Sequence, residues 1–219
     1  MSAHQTEELI AALTADLTPV RRLPAPGLQA ALWLIATGLF LGVVVGWNGL
    51  RADWAEISLR LDFRMELLAT VLTGGAAAVG AFTSAIPGRS ALWRWLAMPP
   101  LLLWLALVGQ GCLIEWLRAE APDRVLSLHC IQQIGWTGMA AGVPMLLALR
   151  LARPFASRAV ALNAGLATSA LAAAAMSLYH IYDSSLLILV SHLGTVVAIT
   201  SLCGLLHRPL LGGTSLRPA

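Results

Sequence analysis

The sequence predicts an all-α polytopic membrane protein: six transmembrane helices in three antiparallel hairpins, preceded by a short cytoplasmic N-terminal amphipathic helix. Composition is the first observation behind this. Of 219 residues, 58% are hydrophobic and 11% charged, where a soluble domain carries about a quarter charged residues. The second is a series of six apolar stretches, each close to the roughly 20 residues that cross a bilayer as a helix. The third is the brevity of the connections, which makes consecutive spans antiparallel neighbours.

The N-terminal run Glu7–Arg22 stands apart from the hydrophobic body. Ile10, Leu13, Leu17 and Val20 recur at spacings of 3, 4 and 3, a single apolar helical stripe. Thr6 is the expected N-cap, Glu7 and Glu8 suit the first turn, and Pro19, Pro24 and Pro26 bound the far end. The polar face carries Glu7, Glu8 and Asp16, which anionic lipid would repel, so a protein partner covers the stripe better than a bilayer does. Leu9, Ile10, Leu13 and Leu17 are the expected anchors in a partner's groove, with Asp16 and Val20 on the same segment. This run is acidic and long for the start of a cleavable signal peptide.

The expected spans are Gly27–Trp47, Glu66–Ile86, Trp95–Trp116, Cys130–Leu149, Ala159–Tyr179 and Ser185–Leu206. Gln132, Gln133 and Pro144 interrupt the fourth, which predicts a helix packed among its neighbours rather than facing lipid. The spacing of Gly38, Gly42 and Gly46 in the first predicts close helix packing. All 14 basic residues are arginines. Nine fall on one side of these spans and five (Arg51, Arg60, Arg64, Arg118 and Arg124) on the other, which places both termini in the cytoplasm. The chain thus divides into an N-terminal segment 1–26, a transmembrane domain 27–206 and a C-terminal tail 207–219.

No nucleophile elbow, zinc-protease, phosphate-loop or dinucleotide motif is present, so the chain is not expected to be an enzyme. No pair of charges lies deep in a span, as a proton relay or coupled transporter requires, and the net charge of +3 gives no reason to expect nucleic acid. One set of residues can carry chemistry. Cys112, His129, Cys130, His180, Asp183 and His192 all fall in the outer half of the predicted bundle. Sulfur, imidazole and carboxylate together would suit a transition metal ion at that face, or would present an oxidisable thiol. The alternative is that each is a solitary polar residue, His129 and His180 at the headgroup level and Cys112 in packing. Cys203, near the inner end, reads as packing.

Several stretches resemble the NrsF-like family of bacterial membrane anti-sigma factors. They are TEELIAALTADLTPVRRL ahead of six spans, PGRS at Pro87–Ser90, LLLWLALVGQGC at Leu101–Cys112, and the histidine and aspartate around the last outer turn. The resemblance covers nearly the whole chain. It implies that the cytoplasmic N-terminal segment holds an extracytoplasmic-function sigma factor at the inner membrane until an outside signal arrives. It also implies that periplasmic cysteines sense metal or oxidative stress, Cys130 matching one such position. Where the family tends to show His-Cys, this chain reads His180-Ile181. In place of the family's two-cysteine site between these loops, Cys112 with Cys130, or Cys130 with the histidines, would have to serve. A small transporter or channel for a metal ion or solute, entered through the same outer residues, is the alternative reading.

Overall fold

The structure, a computed structural model, describes residues 3–15, 23–118, 126–152, 154, 157–181 and 184–212. Among these the chain is helical and contains no strand. Helix α1 is Ala3–Ala15, α2 Pro26–Asn48, α3 the single turn Trp54–Ile57, and α4 Leu61–Ser84. A 3₁₀ turn, Ala91–Trp95, leads into α5, Met98–Leu117. Then follow α6, Leu128–Ala152, α7, Ser157–Tyr179, and α8, Ser185–Leu205, with a short α9, His207–Leu211. Six of these helical stretches are long and apolar enough to cross a membrane.

Helix ends follow local chemistry. Pro26 opens α2, where its missing N–H costs nothing, and Gly49 (φ 79°) leaves it while donating its N–H to the Val45 carbonyl. Gly88 (φ 82°) turns the chain after α4, and the Ser90 hydroxyl accepts from Leu92 N–H to start the 3₁₀ turn. One expectation for α1 changes. The helix begins at Ala3, so Thr6 lies inside it rather than at its cap. Asp16, Leu17 and Val20 lie outside the described residues. Helix α4 begins earlier than the expected span, at Leu61, with Asp62, Arg64 and Glu66 in its first turns.

The bundle is built around α7. Of its apolar window 83% is buried, against 22% for α2 and 33% for α8. It packs on α4, α6, α8 and α2. The main partner of α5 is α4 and that of α6 is α7, so these two consecutive helices are not each other's principal neighbours. One apolar cluster joins Ala77, Ala81 and Phe82 of α4 to Met145 and Leu149 of α6 and to Val160, Ala161 and Ala164 of α7. A second, toward the other end, joins Trp104, Cys130, Ile134, Met176 and Val196. Three hydroxyls inside this core are satisfied locally: those of Thr73, Thr168 and Ser169 donate to carbonyls of their own helices.

The fourth span is not the packed helix its glutamines suggested. Only 28% of its window is buried, in a stripe running Cys130, Ile134, Thr137, Ala141, Met145 and Leu149. Gln132 and Gln133 fall in its first two turns, the former exposed and the latter partly so. On α2, Leu28, Leu32, Ile35, Leu39 and Val43 are exposed at helical spacing, a face that hydrocarbon covers without cost and water does not. Gly38, Gly42 and Gly46 are also corrected: a Cβ on any of them would meet no neighbouring atom within 4 Å, so among the described residues they pack against nothing.

Close approach occurs elsewhere. At Gly80 a Cβ would stand 2.8 Å from the Trp93 carbonyl oxygen and 2.9 Å from Asn163 Oδ1. We expect Gly80→Ala to lower stability by about 1–3 kcal/mol in thermal unfolding of the detergent-solubilised protein, while Gly38→Ala leaves it unchanged.

Candidate functional site

The outer half of the bundle, as the arginine count would have it, gathers most of the residues of interest. His129 opens α6 and His180 follows α7; their rings lie 5.4 Å apart between centroids, tilted by 48°. Cys130 is the next residue after His129 but points elsewhere, since successive helical residues diverge by about 100°. It is fully buried in the second core cluster, with its N–H on the Ser127 hydroxyl. Ser127 in turn donates its N–H to Ser191 Oγ at 2.9 Å.

Ser191 and His192 are buried in α8, in a π segment, Ile188–Leu193, closed by Gly194 N–H on the Leu189 carbonyl. Such a widened turn alters which residues face inward and is frequent at functional sites. The start of α8 is held by two groups. Ser184 Oγ accepts from Leu187 N–H, and Glu115 of α5 accepts from Ser185 N–H at 2.6 Å, an anion well placed at a helix N-terminus. Cys112, partly buried, lies within electrostatic reach of Glu115 and of Glu66 on α4.

The sequence reading passed over Arg51, which it counted only as a loop charge. This arginine is 6% exposed. Its backbone N–H donates to the Leu178 carbonyl at 3.1 Å, joining the exit of α2 to the end of α7 two residues before His180. Its guanidinium grips both oxygens of Asp53, at 2.6 and 2.8 Å, and lies 5.5 Å from the centre of the Phe63 ring. Trp54 meets Phe63 edge-on. The only hint in the sequence is the Arg-x-Asp spacing, which Arg60 and Asp62 repeat at an exposed position. The Arg51 hydrogen bonds hold the Asp53 carboxyl below the usual carboxylate range.

The structure therefore brings His129 and His180 together and places Cys112, Cys130 and His192 in the same half of the bundle. All three cysteines are free thiols. Among the described residues, no three histidine, cysteine or acidic side chains group closely enough to hold a metal ion. Asp183 lies outside those residues. Cys203 packs at the opposite end, against the first core cluster beside Gly165.

A second candidate surface is α1. Leu9, Ile10 and Leu13 are 50%, 56% and 66% exposed. His4 and Glu8 pair across one turn on this helix at 3.5 Å. An apolar stripe left open on a helix is a feature that a partner's groove would cover.

The sequence model of the NrsF family, described as negative regulator of sigma F, matches residues 13–212. No curated protein and no solved structure matches the chain.

The Arg51 grip has a consequence for pH. Because the Asp53 carboxyl is depressed in the folded state, its contribution is present above the unfolded pKa of about 3.9 and lost as pH falls through the folded value. In thermal unfolding, Asp53→Asn should be less stable than the parent by a constant margin between about pH 5 and pH 7, and the margin should close below about pH 4.

Proposed function

Since the chain belongs to the NrsF family of negative regulators of sigma F, its partner is a sigma factor, and we propose that α1 binds that factor and holds it at the bacterial inner membrane. The observation that carries this reading is the open stripe of Leu9, Ile10 and Leu13 on a helix outside the bundle. Leu17 and Val20 extend it in sequence, and Asp16 flanks it. The factor is of the extracytoplasmic-function class, both termini are cytoplasmic, and residues 1–26 act as the binding segment while 27–206 span the membrane and residues 207–219 form the cytoplasmic end. A regulatory family suits a chain without catalytic motifs.

The signal arrives at the periplasmic end, as a soft metal ion or an oxidant acting at Cys130 with His129, His180, Asp183 and His192, Cys112 standing nearby. Cys130 is buried, so a reagent reaches it only when the packing around the π segment of α8 opens. That opening is itself the response, provided the signal favours the open packing over the closed one. Arg51 supplies the mechanical link: the end of α7 is tied to the exit of α2, and α2 leads back to α1.

Two measurements test the two halves. In a pull-down from native membranes, full-length protein should recover a sigma factor, and the Leu13→Asp, Leu17→Asp double variant should bind it at least about 30-fold more weakly. Equal recovery by both would remove α1 as the binding element. In a sigma-dependent reporter strain, Cys130→Ser with His180→Ala should keep repression and lose induction by metal or oxidant. Unchanged induction would rule out the periplasmic site.

A further inference from the structure

A cavity of about 720 Å³ lies at the opposite end of the bundle from His129 and His180, between α5, α7 and α8. That is within the range of about 300–1,000 Å³ typical of small-molecule sites. Arg94, Arg158 and His207 come to its mouth from three separate segments of the chain, and among the described residues no carboxylate lines the cavity. Among the described residues neither arginine is ion-paired. Beyond this mouth Asn163, Thr200 and Ser201 also line it, and the rest of the wall is mainly apolar, with Leu101 from α5, Leu166 from α7 and Val196 from α8.

The mouth is preformed. Asn163 of α7 donates to the Arg94 carbonyl at 3.2 Å and to the Ala159 carbonyl at 3.0 Å, pinning the 3₁₀ turn to α7. The first turn of α7, beginning at Ser157, opens at the same place, and the positive end of its dipole adds to the arginines. Cationic groups at one end and a long apolar shaft behind them match one kind of molecule. Its head must be anionic and its tail must be hydrocarbon.

We propose that this cavity binds an anionic phospholipid, with the phosphate headgroup between Arg94, Arg158 and His207 and an acyl chain running along Leu101, Leu166 and Val196. The charges fit the head, and the shaft, placed along spans that cross the bilayer, receives the tail from the surrounding lipid. Basic pockets between transmembrane helices recognise acidic headgroups in this way. The site involves neither α1 nor the cysteines, so it stands or falls apart from the sigma-binding reading.

Native mass spectrometry of the full-length detergent-solubilised protein, offered equal amounts of phosphatidylglycerol and phosphatidylcholine, tests it. Wild type should retain the anionic lipid over the zwitterionic one by roughly 10-fold, and Arg94→Gln with Arg158→Gln should abolish that preference. Both arginines are exposed, so the variant should fold, which thermal unfolding checks. Val197→Trp, at an exposed position lining the shaft, should reduce retention of both lipids. Inorganic phosphate at millimolar concentration should not displace the lipid. Equal retention of the two lipids by wild type, an undiminished preference in the arginine variant, or displacement by phosphate alone would each overturn the proposal.

Discussion

Burial of α7 is the constraint on which the rest of the structure depends. A helix can be surrounded by four others only if its side chains let their backbones come near. The stretch from Ala159 to Ala175 meets that condition with alanine, glycine, serine and threonine on most of its surface. Gly74 of α4 sits where a Cβ would collide with Leu171 of α7, and Gly204 of α8 where it would collide with Leu162. In a bilayer, lipid tails are as apolar as leucine, so helices associate through close packing of small residues rather than through expulsion of water. Two of the large residues on α7, Leu162 and Leu171, thus fall where glycines on its neighbours receive them.

This also explains what could and could not be read from the sequence. The six spans were legible nearly to their ends, because bilayer thickness fixes helix length and prolines and glycines mark the turns. Which helix would be central was not, since hydropathy ranks contact with lipid rather than burial. The highest mean hydropathy, 2.1, belongs to α2 and α8, whereas α7 at 1.6 is the most buried. Reading Gln132 and Gln133 as signs of packing failed for the same reason: near a helix end a polar side chain can reach water. The neighbourhood of His129 and His180 was visible from topology alone. The direction in which Cys130 faces, the π turn that brings Ser191 and His192 inward, and the burial of Arg51 were not, because each depends on tertiary contacts that leave no periodic mark.

The two ends of the bundle have different characters. One carries imidazoles, thiols and carboxylates between helix ends tied by side-chain hydrogen bonds, notably Glu115 on Ser185 N–H and Ser191 on Ser127 N–H. The other carries a basic mouth over an apolar cavity, and there Arg150 donates to the carbonyls of Pro209 and Leu210, holding α9 against the bundle. Interfaces of this kind, mainly apolar in the middle and hydrogen-bonded at the ends, respond to a local change by shifting between discrete packings rather than by gradual deformation. A regulator that must report an event on one side of a membrane to a protein on the other needs that property.

The claim at the centre of the account is that α1 is where the sigma factor sits. Amide hydrogen exchange across α1 in the full-length protein, with and without its sigma factor, tests it most directly. The account predicts rapid exchange from Leu9 to Leu13 in the free protein, as for an isolated short helix, and strong protection of the same amides in the complex. Unchanged exchange in α1, with protection appearing on the helices of the bundle instead, would contradict it.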